Sequence, residues 1–182
     1  TRDNLYDGKW GTICLGYAVP SLEDVTATFY KLNYYDGANS LYVTEVTELE
    51  AGKPYVFEAH AESFTVEYIP TDEPTPAETV NGLIGTLDGL TMEADAYALV
   101  NNMVVNAAAG TTVPANRAYI DLTQVSTEPL VTAGAPRRIG VASAPTGFEL
   151  NNVQKKACKV LDKGQFVIIR DNKMYNILGA EM

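Results

Sequence analysis

A nucleophilic hydrolase needs a base beside its serine or cysteine, and the chain offers one histidine, His60. It closes the alternating run Tyr55-Val56-Phe57-Glu58-Ala59-His60, and Cys14 is the thiol that could form a Cys–His dyad with it. The same two residues are also accounted for by a small buried thiol and a histidine at a strand end. There is no Gly-x-Ser-x-Gly elbow, and Gly52-Lys53 lacks the upstream glycine and following hydroxyl of a phosphate loop. The two cysteines, Cys14 and Cys158, form no Cys-x-x-Cys, so neither a zinc site nor a thioredoxin-like motif can be assembled. A bridge between them would close most of the chain and contribute about 4–5 kcal/mol in the chain-entropy description; the alternative is two inert thiols.

The 23 acidic residues could place two carboxylates ~5–9 Å apart on a β scaffold, as glycoside hydrolysis requires. Glu45, Glu58 and Glu67 fall on strand faces, where acids ordinarily meet solvent. Asp3, Asn4 and Asp7 before Gly8, and Asp36, Gly37 and Asn39, are oxygen-rich turns that could hold calcium. Neither has EF-hand spacing and turn chemistry accounts for both, so no cofactor is expected. Tyrosine is abundant, with 11 copies against 5 Phe and 1 Trp, and Tyr30, Tyr34 and Tyr35 cluster beside Asn33, Asp36 and Asn39. Exposed aromatic rings next to amides and carboxylates suit contact with sugar or protein. Tyr34, Tyr35, Asp36 and Asn39 are therefore the candidate ligand-binding residues. Tyr34 and Tyr35 are adjacent strand positions facing opposite ways, so both cannot be buried in one core.

The elements that must position these groups read as β-strands. Runs of β-branched and aromatic residues bounded by Gly, Pro, Asp and Asn recur about every ten residues. Expected strands are Thr12 to Val19, Thr26 to Leu32, Ser40 to Val46, Pro54 to His60, Ser63 to Ile69, Gly82 to Leu87, Tyr97 to Val100, Met103 to Asn106 and Ala118 to Thr123. Asp36-Gly37, Asn81-Gly82 and Asp88-Gly89 supply the tight turns, and Pro70 to Pro76 must be an exposed loop. A short helix at Thr91 to Ala98 is an alternative to strand there. The expected fold is all-β, an antiparallel β-sandwich (jelly-roll or Ig-like) with a C-terminal β-hairpin. Residues 1–125 form the body, 126–160 a linker or long surface loop, and 161–182 the hairpin docked on the body or exchanged between chains. An Asp171-Asn172 turn would pair Ile168 with Tyr175 and Phe166 with Ile177.

A chain of 182 residues can bury its own core. No apolar run approaches the roughly 18 residues needed for a spanning helix. The net charge of -10 argues against nucleic acid, which needs a concentrated basic surface. The charge is uneven: residues through Glu128 hold 5 Lys and Arg against 19 Asp and Glu, the rest 8 against 4. A basic tail of this kind either complements the acidic body or docks on an anionic surface. The chain opens at Thr1 without Met, which reads as a mature fragment whose leader has been removed.

Four segments taken together, Gly8-Lys9-Trp10-Gly11-Thr12-Ile13-Cys14-Leu15, Leu49-Glu50-Ala51-Gly52-Lys53-Pro54-Tyr55, Thr112-Val113-Pro114-Ala115-Asn116-Arg117-Ala118-Tyr119, and Gly164 to Ile169 through Tyr175-Asn176-Ile177-Leu178-Gly179, carry a resemblance. They resemble the all-β modules of secreted and surface proteins of gut Bacteroidales, which often follow leucine-rich repeats or other adhesin-like regions. Where that family often has Pro after Cys-Leu, this chain has Gly16. The resemblance implies a secreted or cell-surface (periplasmic) location and a scaffold, and it brings no catalytic residue. The expected function is non-enzymatic adhesion, binding a glycan or a host or matrix protein. The alternatives are a structural spacer in a larger surface protein and a small carbohydrate-active enzyme. The binding site is expected in the loops at Tyr34 to Asn39, Pro70 to Pro76 and Ala107 to Pro114.

Overall fold

The computed structural model describes residues 1–130 and 134–141, together with the backbone of strands Cys158–Asp162, Gln165–Arg170 and Lys173–Asn176. The chain divides into two compact units, Thr1–Ala144 and Pro145–Met182. The described residues contain no helix, and hence none long and apolar enough to cross a membrane. The fold is all-β.

The strands of the first unit are β1 (Trp10–Cys14), β2 (Ala27–Tyr35), β3 (Ser40–Val46), β4 (Pro54–Ala59), β5 (Thr79–Val80), β6 (Leu83–Thr86), β7 (Leu90–Thr91), β8 (Ala96–Val100), β9 (Met103–Ala107), β10 (Thr112–Val113), β11 (Arg117–Ile120) and β12 (Arg137–Val141). Ten of them form one curled sheet, a half-barrel, in the order β1-β4-β2-β3-β12-β9-β8-β11-β6-β5, while β10 pairs with β7 apart from it. Each junction of the large sheet is antiparallel except β12–β9, which is parallel.

Alternation along β2 and β4 gives the curled sheet two apolar faces. Tyr30, Leu32 and Val56 point inward to a core shared with Leu41, Val43, Leu83, Val104, Ile120 and Ile139. Phe29, Tyr55 and Phe57 point outward and are covered by Phe64 and Val19. A sheet with apolar residues on both faces must be covered on both, here by its own far strands inside and by irregular chain outside. The curl brings β1 back towards β11, where the hydroxyl of Thr12 donates to Ala118 O at 2.8 Å and accepts from Ala118 N at 3.0 Å. Arg137 of β12 reaches over β3 and β2 to pair with Glu58 of β4 and donates to the Tyr30 hydroxyl at 2.6 Å. Its guanidinium lies 5.3 Å from the Trp10 ring, which itself stacks on Tyr30.

Three expectations change. The segment Ser63 to Ile69 is not a strand: it joins the body through the bridge Arg2↔Phe64 and a bond from Ile69 N to Ala18 O at 2.9 Å. Its alternation is genuine, but the apolar side packs on a sheet face rather than pairing with an edge. The helix at Thr91 to Ala98 is replaced by β7 and β8. Asn101 and Asn102, both at positive φ (48° and 63°), turn β8 directly onto β9. A five-residue ladder with Met103–Ala107 outweighs a helix too short to be stable alone. Within the stretch read as a linker, Arg137–Val141 is β12, inserted between β3 and β9; residues 131–133 and 142–157 lie outside the described residues.

In the second unit, β13 (Cys158–Asp162), β14 (Gln165–Arg170) and β15 (Lys173–Asn176) form an antiparallel meander. Ile168 pairs with Tyr175 as expected. The Asp171-Asn172 turn and Ile177 lie outside the described residues, and β13 adds a strand to the expected hairpin.

Candidate functional site

The expected site at Tyr34 to Asn39 is built from local contacts. A β-bulge between Leu32 and Tyr34 inserts Asn33 into β2, and the buried Asn33 amide donates to Thr44 Oγ1 at 2.8 Å. Its carbonyl oxygen accepts from Leu130 N at 2.7 Å. The bulge turns Tyr34 onto one face, where its ring stacks on Tyr42 at 4.3 Å and 2°. Tyr35 packs against the inner core and its hydroxyl donates to Ala38 O at 2.8 Å. Asp36 Oδ1 accepts from the amides of Ala38, Asn39 and Ser40 at 2.9–3.0 Å, and these bonds hold its carboxyl below the usual carboxylate range. Asn39 Oδ1 accepts from Ser40 Oγ, and Asn39 O accepts from Val141 N. The four residues are neighbours, and the Tyr35 hydroxyl, Asp36 Oδ1 and Asn39 Oδ1 are engaged within the turn itself.

The other sequence candidates also go to separate places. Cys14 lies opposite Pro54 and His60 follows the far end of β4, so the strand separates the dyad by about 15–20 Å. Cys14 is a buried free thiol donating to Gly52 O at 3.4 Å, and burial, reinforced by Glu78, pushes its pKa up to about 11. The side chain of Cys158 lies outside the described residues. His60 Nε2 instead meets Thr28 Oγ1 at 2.8 Å, while Asp7 Oδ1 stands 3.7 Å from Nδ1, too far to orient the ring by a hydrogen bond. Glu58 pairs with Arg137, and Glu45 and Glu67 are exposed. Asn4 O accepts from Lys9 Nζ. Among the described residues no three His, Cys, Asp or Glu side chains gather as a ligand set.

A different arrangement stands at the outer end of β1. The chain leaves β1 through Leu15, Gly16 and Tyr17, and three distant segments close around it. Thr75 N donates to Gly16 O at 2.8 Å, Ile69 N to Ala18 O at 2.9 Å, and Asn116 N to Leu87 O at 3.1 Å. Pro74 lies so close over Gly16 that a Cβ there would be 2.5 Å from the proline Cβ. Gly52 anchors the next part of the proline-rich loop: its φ is +77°, its N donates to Leu15 O and its O accepts from Glu78 N. A Cβ on Gly52 would lie 2.4 Å from Pro76 O. The glycine at position 16 is thus what lets the loop seat.

These segments enclose an open groove of about 490 Å³ lined by Leu15, Tyr17, Val66, Tyr68, Pro74, Leu87, Asp88 and Asn116. Tyr17 and Tyr68 stack at 4.9 Å with planes 26° apart, and Tyr68 remains 54% exposed. The carboxylate of Asp88, the carboxamide of Asn116 and both tyrosine hydroxyls make no hydrogen bond to any described residue. A smaller hollow of about 170 Å³ continues past Val66 to Arg2 and Phe64. There the Arg2 guanidinium donates to Asn116 O, and burial together with Arg117 pulls its pKa down to about 10.

Two further grooves also carry side chains that make no hydrogen bond to a described residue, among them Asp3 and Glu45, but neither is lined by both rings of a stacked aromatic pair. Between β1 and β11, a groove of about 440 Å³ contains Lys9, which donates to Asn4 O, and Arg117, which donates to Thr12 O. Thr111, from the loop Ala107 to Pro114, donates to Ala108 O within it. The groove of about 470 Å³ beside His60 contains the Thr28–His60 pair.

Of the three expected loops, Pro70 to Pro76 contributes Pro74 to the tyrosine groove. The sequence predicts strand at Tyr17 and Tyr68 and a tight turn at Asp88, and Asn116 lies in a segment that reads as scaffold. The signals that could have singled them out are an aromatic directly after a strand-end glycine and a tyrosine directly before a proline-rich loop. No protein-family model, curated protein or solved structure matches this chain, so the groove is read from its own chemistry.

Proposed function

We propose that this chain is a non-enzymatic ligand-recognition module of a secreted or cell-surface protein, serving adhesion through the Tyr17–Tyr68 groove. The observation that carries the reading is the uncommitted set of polar groups around an exposed aromatic pair, in a groove whose walls are tied down by backbone hydrogen bonds. A site held ready in this way loses little conformational entropy when a ligand enters. The secreted or surface location rests on the resemblance to Bacteroidales surface modules. In the same reading the half-barrel acts as a sandwich-like scaffold, its two halves facing each other across one core, with the binding loops at the strand ends.

The test is an array of glycans and matrix proteins probed with the folded chain, with a Tyr17→Ala, Tyr68→Ala double variant, and with a Tyr34→Ala, Tyr35→Ala double variant. Binding lost in the first variant and kept in the second supports the reading. A blank array on protein shown to be folded moves the weight to a structural spacer. Binding lost only in the second variant moves the site back to the β2–β3 turn.

A further inference from the structure

We infer that the Tyr17–Tyr68 groove takes a neutral saccharide, its ring stacked on tyrosine and its hydroxyls held by Asp88 and Asn116. This rests on the recognition role proposed above and names its ligand class.

A pyranose has an apolar C–H face and a rim of hydroxyls. It needs a flat aromatic surface for the face and mixed donors and acceptors for the rim. The stacked pair supplies a rigid surface, because a ring held against another ring has little freedom left to lose on binding. Asp88 accepts two hydroxyl hydrogens, Asn116 both donates and accepts, and the tyrosine hydroxyls do either. A volume of about 490 Å³ lies in the range of small-ligand sites.

Charge selects among saccharides. Unit Thr1–Ala144 holds 7 Lys and Arg against 19 Asp and Glu, a net charge of -12. An acidic glycan would approach against this field and meet Asp88 inside the groove. No Lys or Arg side chain lines the groove, and the Arg2 guanidinium in the adjoining hollow is turned to Asn116 O. Uronic, sulfated and sialylated sugars are therefore disfavoured and uncharged hexoses and pentoses fit.

The experiment titrates the full chain, labelled with ¹⁵N, with cellohexaose, mannohexaose, xylohexaose, hexagalacturonic acid and a heparin hexasaccharide, following amide shifts. A parallel arm offers collagen and fibronectin. The expected result is that at least one neutral hexaose shifts amides of residues 16–18, 66–69, 88 and 116. Tyr68→Ala should weaken that binding about tenfold or more, while Tyr68→Phe, which keeps the ring, stays within about threefold. Asp88→Ala should weaken it by a similar factor to Tyr68→Ala, and Tyr34→Ala should not change it. Acidic hexaoses binding as tightly as neutral ones overturn the inference, as does neutral binding indifferent to Tyr68→Ala. No shift with any neutral hexaose at about 10 mM also overturns it. If only a matrix protein binds, and Tyr68→Ala abolishes that, the recognition role survives and the saccharide does not.

Discussion

The molecule carries two stacked tyrosine pairs, and they are built in opposite ways. Tyr34 and Tyr42 face each other across the β2–β3 ladder, beside a turn in which Asp36 already serves three backbone amides. Tyr17 and Tyr68 come from segments some fifty residues apart, brought together by backbone bonds at Gly16, Ala18 and Gly52. A turn closed within a few residues must satisfy its amides with its own side chains, which leaves little for a ligand. A groove closed by distant segments satisfies backbone with backbone, and its side chains remain available.

The largest expected effect comes from breaking the groove's frame. Gly52→Ala places a Cβ against Pro76 O at positive φ and is expected to cost about 3 kcal/mol in urea denaturation, with loss of array binding. A smaller loss, about 2 kcal/mol, is expected for Asn33→Ala, which leaves the Leu130 amide without its acceptor at the bulge. That variant should disturb amide shifts of residues 33–40 and spare those of 66–69. If both regions move together, the two tyrosine sites are not independent.

Thiol labelling sharpens the comparison. In a Cys158→Ser background, Cys14 should resist a thiol reagent at pH 8, since its thiol is buried and its pKa is raised to about 11. Because Cys14 touches Gly52 O, labelling should accelerate in Gly52→Ala and stay slow in Asn33→Ala. Equal rates in both variants would contradict the role of Gly52 as an anchor of the loop that frames the groove.

The smallest effect is a pH dependence confined to the β2–β3 turn. Amide donors lower the Asp36 pKa below its unfolded value, so its contribution to stability is present above about pH 4 and fades as pH falls through the folded pKa. Amide protection factors at Ala38, Asn39 and Ser40, taken against the intrinsic exchange rate, should fall below about pH 4, and Asp36→Asn should remove that dependence. Exchange at Ile69 and Thr75 should not follow it, because their acceptors are backbone carbonyls.

Much of the fold was legible because strand alternation and turn residues are local signals. The sequence pattern predicts Ser40–Val46 to the residue, and β4, β8 and β9 to within one residue at either end. Ser63 to Ile69 misled because alternation reports one buried side and not whether the backbone finds a ladder. The strand β12 was missed because Pro and Gly around Arg137 read as loop, while its partners β3 and β9 lie far away in sequence. The aromatic cluster at Tyr34 to Asn39 was visible for the same local reason that it is a self-satisfied turn.

By itself the sequence determined the all-β class, the bounds of several strands, the outward proline-rich loop and the opposite directions of Tyr34 and Tyr35. Each follows from the period-2 geometry of a strand or from the backbone limits of Gly, Pro, Asn and Asp. The tertiary structure alone decided that one sheet curls around a shared core, that β12 joins its halves, and that Tyr17, Tyr68, Asp88 and Asn116 share a groove. Those outcomes depend on pairings between residues tens of positions apart. Such pairings are selected by burial over the whole molecule, which no local pattern encodes.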